Sequence, residues 1–490
     1  MVASPQTQTS QAHPSSRATH SWFLVLSFVL MFLLSVAAEL PLAPNDFFPY
    51  VRIGEEIVNT SAIPETEFMT YTQFGKQVDY PYWLPSLIFF SLFKTGGATL
   101  ISILIVVLTA SFYILLWYCL KELNLRPLTA GVVLLLIGLY NASFFVDRPQ
   151  IFAFPLFSLA LLLLIRWQKG DNKWLWLLPV ISMLWVNFHG SFIVLFFLTI
   201  PALIFGSGSR KRLLIFIALS LLTTLINRYG ISAWTDMFSV INNESNRLFS
   251  KEFQAPVNEG WQANIFFALL LLTPVLTAIL KPKIHILYWI WFLGFGWMAL
   301  SGIRYGIWFM AAQAIILGLL IDPIMAKIFK PSNHFQNRSM NIFLGILMLI
   351  IPVAFLPGVR GLWWEKSPPV YSETTPIKAA EYLKQNPQYP GELWSDFEYS
   401  TYLTYALPER KLFMTNRMDD FPVEQYKDER AISAGRFDWQ QLLDQYGVNL
   451  IMASIDNQPE LIRAAASSTA WDEVYRDEYA VIFIRREPIE

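Results

Sequence analysis

The stretch Trp22–Glu39, WFLVLSFVLMFLLSVAAE, decides the reading of this chain, together with the adjoining segment LPLAPNDFFPYVRIGEE over Leu40–Glu56. The first segment has no charge before its last residue and is long enough to cross a hydrocarbon core of about 30 Å as a helix. It could serve as a signal-peptide core, but no small-residue cleavage site stands out and more apolar runs come after it, so it reads as a retained span. The second segment puts Asp46, aromatic residues and Arg52 just beyond that span.

Working outward, apolar runs recur over 22–39, 98–120, 128–145, 149–165, 174–187, 190–206, 212–226, 263–280, 285–303, 305–321 and 340–356. They predict a polytopic α-helical membrane protein with about eleven spans. Leu84–Phe93 is too short to span and reads as a re-entrant or interfacial helix. Composition agrees: 54% of the 490 residues are hydrophobic and 15% charged, against about 25% charged in soluble domains. The net charge of −1 and the single cysteine, Cys119, give no sign of a nucleic-acid partner, a disulfide framework or a cysteine metal site. Membrane lipids are the partner the composition implies.

Loop charge orients the spans. With the N-terminus cytoplasmic, the short inner loops and the N-terminal tail hold about 14 Lys and Arg in roughly 60 residues, and the outer loops about 8 in roughly 100, as the positive-inside rule requires. Residues 1–21, rich in Ser, Thr and Gln, read as a disordered cytoplasmic tail. The expected organisation is then a transmembrane domain over 22–357, with a first outer loop at 40–97, and an extracytoplasmic α/β domain over 358–490. In that last region helices at Pro376–Gln385, Tyr399–Ala406, Trp439–Tyr446 and Pro459–Ala466 alternate with strands at Lys411–Met414, Asn449–Ala453, Trp471–Arg476 and Tyr479–Arg485. A protein partner for this domain is left unspecified. The cell (inner or plasma) membrane is the expected location.

The long outer loops carry most of the chemically specific residues. Asp46 and Glu67 in the first loop suit a general base or a divalent-cation ligand, or a solvated acidic loop with aromatic interface anchors. Asp147-Arg148 lies between two spans, where a charged pair belongs at an interface or in a cavity. Asn187 and His189, in Trp185-Val-Asn-Phe-His-Gly190, suit an anionic or sugar ligand, or the capping of a tight turn. Arg148, Arg228 and Arg304 each stand at an outer span end, where guanidinium groups can clamp a phosphate or bind lipid headgroups. The sequence contains no P-loop or dinucleotide fingerprint.

These clusters, in this order, resemble the GT-C superfamily of multi-span glycosyltransferases, which includes protein O-mannosyltransferases, lipid A aminoarabinose transferases and oligosaccharyltransferases. Asp46 matches the acidic residue that comes shortly after the first span. The set Asp46, Arg52, Gly54, Pro64, Glu67, Tyr71, Thr72, Trp83 and Leu84 is similar to the first loop of bacterial membrane proteins with GT-C-like character. Arg148-Pro149, Trp185–Gly190, Asn227–Gly230 and Glu252–Pro256 match their later motifs. The resemblance implies a polyprenyl-phosphate-linked sugar donor and inverting transfer on the outer face. Asp46 would be the base, Asp147 and Glu67 would assist it, and Asp46 with Asp147 would hold any divalent cation (Mg or Mn). Arg52, Arg148, Asn187, His189, Arg228, Glu252 and Arg304 would bind substrate. The competing expectation is a non-enzymatic scaffold, in which Asp46 faces open solvent and the arginines scatter around the rim. A transporter is disfavoured, because charged residues avoid mid-span positions and no inverted repeat is visible.

Overall fold

The computed structural model describes residues 15–329, 337–417 and 420–488, so most of the expected N-terminal tail lies outside the described residues. All the expected apolar runs are helical, from Ser15–Glu39 to Arg338–Ile350. Among the described residues, seven helices are long and apolar enough to cross a membrane, and Leu177–Phe188, Gly190–Phe205 and Ile286–Ser301 are shorter apolar helices. The protein is a multi-pass membrane protein. The three shorter helices and Arg210–Thr223, of 14 residues, are the four expected runs outside the seven: the 12 residues of Leu177–Phe188 rise about 18 Å, less than a hydrocarbon core.

Leu84–Phe93 lies in a short helix that starts at Trp83, and a break at Gly96 and Gly97 separates it from the long helix that runs on to Glu122. Gly97 has φ +57°, a conformation that costs glycine little. The first outer loop also contains a helix, Phe47–Thr60, whose Phe47, Phe48, Val51, Gly54 and Ile57 are buried. That helix lies on the Trp83 segment, with Phe47 5.3 Å from both Phe89 and Phe93. A side chain at Gly54 would meet the Ser86 carbonyl at 2.1 Å, so glycine here permits the close approach that sets Asp46 at the helix start.

The C-terminal region holds a mixed sheet of β1 (Glu392–Ser395), β2 (Val448–Ser454), β3 (Trp471–Arg476) and β4 (Ala480–Arg485), in the order β1-β2-β4-β3. β1 and β2 are parallel, and the other pairs are antiparallel. β2 is buried on both faces, and its Leu450–Ala453 stretch is continuously apolar, as a strand covered on both sides requires. Its Leu450 and Met452 pack with Ala379, Leu383 and Leu403 on one side, and its Ile451 and Ala453 pack with Ile432, Leu443 and Leu461 on the other. Two elements were not anticipated, β1 and the helix Val423–Ser433. Lys411–Met414 forms no strand; Leu412 alone bridges Thr70 and Leu393.

That bridge joins the sheet region to the first outer loop. The Tyr71 amide donates to the Leu412 carbonyl at 3.0 Å and the Leu412 amide to the Met69 carbonyl at 3.0 Å. Thr72 Oγ1 donates to the Phe413 carbonyl at 2.7 Å, and Gln425 Nε2 to Thr72 Oγ1 at 2.9 Å. Arg360, buried between the two regions, donates to the carbonyls of Glu39 and Pro369.

Candidate functional site

Where the first loop, the outer helix ends and the C-terminal region meet, they enclose a cavity of about 700 Å³. Asp46 lines it from the residue preceding the Phe47–Thr60 helix. Asn45 fixes this corner: its Oδ1 accepts from the Phe47 amide and its Nδ2 donates to Asp147 Oδ1, both at 2.9 Å. Arg148 lies between two carboxylates, with Nε 3.8 Å from Asp46 Oδ2 and Nη1 paired with Glu252. The Arg148-Pro149 pair forces this geometry locally, because proline holds the preceding residue in the extended region, here φ −118°, ψ 151°.

His189 and Arg304 line the same cavity. The Ser191 amide donates to His189 Nδ1 at 3.0 Å, so Nδ1 is the acceptor and Nε2 carries the proton. Burial, aided by the positive field of Arg304, pushes the imidazole down to about 3 and keeps it neutral. The ring stacks on Tyr82 with centroids 5.1 Å apart. The Arg304 guanidinium lies 4.3 Å from the Phe253 ring centroid and, among the described residues, pairs with no carboxylate. A flat cation on an aromatic face beside a neutral N–H donor is a ready anion-binding pair.

The expected site residues therefore divide. Asp46, Arg148, His189, Glu252 and Arg304 line one cavity. Asp147 is buried behind its wall, where desolvation raises its carboxyl to about 6. Glu67 does not line the cavity; it is fully buried, with Oε1 accepting from the amides of Met69 and Thr70 at 2.7 and 2.9 Å and Oε2 accepting from the hydroxyl of Tyr80, a lining residue, at 3.3 Å. Its carboxylate holds the turn that meets Leu412. Arg52 pairs with Glu55 and Glu56 along its own helix. Asn187 donates to the carbonyls of Met183 and Ile226 and accepts from Trp83 Nε1, so it ties helices together. Arg228 pairs with Glu65 on the exposed surface.

The donors present do not fit a divalent cation on Asp46 and Asp147. One Asp46 oxygen accepts from Asn416 and the other faces the Arg148 guanidinium, whose charge repels a second cation. Asp147 Oδ2 is buried with no protein partner, but the residue does not line the cavity. Among the described residues, no three His, Cys, Asp or Glu side chains are grouped to hold a metal.

No family model and no curated protein matches the sequence. Solved structures do match. An archaeal oligosaccharyltransferase, AglB from Archaeoglobus fulgidus in complex with an inhibitory peptide and a dolichol-phosphate, is 12% identical with a TM-score of 0.58, covering 96% of this chain and 74% of that one. The arabinofuranosyltransferase AftD from Mycobacteria is 11% identical, with a TM-score of 0.59 and coverage of 96% and 40%. ArnT from Cupriavidus metallidurans bound to undecaprenyl phosphate is 14% identical, with a TM-score of 0.50 and coverage of 95% and 98%. The chain has a GT-C-like fold.

Sequence reasoning missed part of the cavity, the wall supplied by the C-terminal region: Glu398, Asn416, Arg417 and Asp420. Arg417 pairs with Asp420 at 2.7 Å, donates to the Asp79 carbonyl at 2.8 Å and lies 4.1 Å from the Tyr80 ring centroid. Burial opposes its charge, but Asp420 and Tyr80 outweigh that and hold it more firmly protonated than usual. Only the pattern Asn416-Arg417 before an acidic pair could have drawn notice, and nothing in the sequence ties it to Asp46 across 370 positions.

Proposed function

We propose that this GT-C-like protein is an inverting glycosyltransferase that moves a sugar from a polyprenyl-phosphate donor to an acceptor hydroxyl on the outer face of the cell membrane. One observation carries the reading. A single cavity gathers the Asp46 carboxylate with an Arg304 guanidinium that, among the described residues, has no carboxylate partner, beside a neutral His189. The scaffold alternative has Asp46 in open solvent and the arginines scattered, and the enzyme reading has Asp46, Asp147 and the arginines together; Asp46, Arg148 and Arg304 share the cavity, which supports the enzyme, while Asp147 and Arg228 do not line it. The positive-inside count supports a cytoplasmic N-terminus, which puts the cavity and the C-terminal domain outside.

In the proposed reaction the acceptor oxygen attacks the anomeric carbon of the donor and its proton passes to Asp46. The bond from that carbon to the phosphate oxygen breaks, and its electron pair leaves with the polyprenyl phosphate. Arg304 and the Nε2–H of His189 offset the charge that grows on the leaving phosphate. Arg148 stands between the Asp46 carboxylate and Glu252 and balances their charge. Single displacement gives inversion at the anomeric carbon. No step is routed through a cation.

The test is turnover of a panel of polyprenyl-phosphate sugars by the purified protein in lipid nanodiscs, read as release of free polyprenyl phosphate. Asp46→Asn should lower kcat by about 10²- to 10⁴-fold, the usual contribution of a general base. Unchanged turnover in that variant would remove Asp46 from the role. A panel without any transfer by the wild type would overturn the enzyme reading.

A further inference from the structure

We infer that Asn416, supplied by the C-terminal region, is the positioning residue for the Asp46 carboxylate, so that the C-terminal region completes the catalytic site. This inference rests on the reading of Asp46 as the base. Asn416 Nδ2 donates to Asp46 Oδ1, while Arg148 Nε stands 3.8 Å from Oδ2. A carboxylate at a helix start has freedom about χ1 and χ2. Asp46 makes no side-chain cap on its own helix, so the helix does not remove that freedom. Asn416 constrains one oxygen, and the other is left toward Arg148 and the cavity.

Asn416 is itself held by a rigid connection to the first loop. Four residues upstream, Leu412 exchanges backbone hydrogen bonds with Met69 and Tyr71, and Thr72 donates to Phe413. One residue downstream, Arg417 is pinned to Asp420, the Asp79 carbonyl and the Tyr80 ring. The short segment between these anchors has little slack, so the Asn416 amide is presented to Asp46 at a fixed place. The first loop is thus gripped on both sides of Asn416 by the same stretch of the C-terminal region.

Misplacing a reacting group by about 1 Å costs roughly 100-fold in rate. We therefore expect Asn416→Ala to lower kcat by about 10- to 100-fold with the donor KM within twofold of wild type, since the side chain of Asn416 bonds Asp46 and not His189 or Arg304. Asn416→Asp is nearly isosteric and keeps the packing but loses the amide donor and sets two carboxylates together. It should lose at least as much kcat as Asn416→Ala. A merely structural role predicts the reverse order, with Asn416→Asp close to wild type and Asn416→Ala impaired in step with its melting temperature. Both variants, with Asp46→Asn, are assayed in nanodiscs for kcat, donor KM and melting temperature. If Asp46→Asn abolishes turnover while Asn416→Asp retains wild-type kcat, the inference falls and the base assignment stands. If Asp46→Asn itself is fully active, the base assignment and the inference fall together.

Discussion

Replacement of Arg304 by Met separates the phosphate-binding reading from ordinary headgroup anchoring. Arg304 is an unusually clean target. Among the described residues it forms no ion pair, and its guanidinium rests on Phe253 at 4.3 Å, so truncation leaves no carboxylate stranded and keeps an apolar group on the ring. Burial, the larger cause, still holds His189 neutral, so the loss falls chiefly on the ligand. A hydrogen bond to a charged group contributes about 1.5–3 kcal/mol, and each 1.4 kcal/mol is tenfold in affinity, which gives about 10- to 150-fold weaker binding of polyprenyl phosphate. Arg304→Lys keeps the charge but gives up the planar fork, and should fall between wild type and Met. Arg228→Gln is the control: Arg228 pairs with Glu65 on the exposed surface and does not line the cavity, so the affinity should stay within twofold. The assay is equilibrium binding of a fluorescent polyprenyl phosphate to protein in neutral-lipid nanodiscs, at fixed salt because exposed charge attraction is screened. Equal affinity for wild type and Arg304→Met, or a loss in Arg228→Gln as large as in Arg304→Met, refutes the reasoning.

Further expectations concern the two carboxylates that the cavity excludes. Burial raises Asp147 to about 6 from 3.8, so between about pH 4 and 6 unfolding releases a proton from this group and stability falls as the pH rises through that window. The deficit above the window is about 3 kcal/mol at most. Asp147→Asn keeps the bond from Asn45 and removes the deficit, so its melting temperature in detergent should exceed wild type near pH 7.5 and match it near pH 4; a gain at both values would contradict the burial argument. Glu67→Ala strands the buried amides of Met69 and Thr70, a loss of about 1–3 kcal/mol for each unsatisfied group. It should lower the melting temperature and leave kcat per folded molecule unchanged, and a selective loss of kcat at wild-type stability would return Glu67 to the chemistry.

The parts of the site that were legible in the sequence share one property: they stand at the ends of apolar runs. Asp46, Arg148, His189 and Arg304 each stand just after or just before an apolar run, so counting the runs in the sequence groups them at one end of the helices. Arg228 met the same condition and lies outside the cavity, because depth does not fix the angle around a helix bundle. Glu67 and Asn187 have the residue types of a site, but each meets its hydrogen-bonding needs within the protein. A buried polar group finds partners wherever they are, and residue type does not say whether those partners are substrate or backbone.

What the sequence by itself determined is the membrane class, the helical character of each apolar run, the polarity of the loops and the alternating helices and strands after Pro357. Those arise from hydrophobic length, charge asymmetry and periodicity, which are local and additive along the chain. Only the tertiary structure decided that Glu67 buttresses a turn, that Asp147 lies behind the cavity wall, and that Asn416 meets Asp46 across 370 positions. The physical reason is that hydrogen bonds are short and directional. Which donor meets which carboxylate depends on how the first outer loop docks on Leu412, and that docking rests on backbone bonds that carry no side-chain signature.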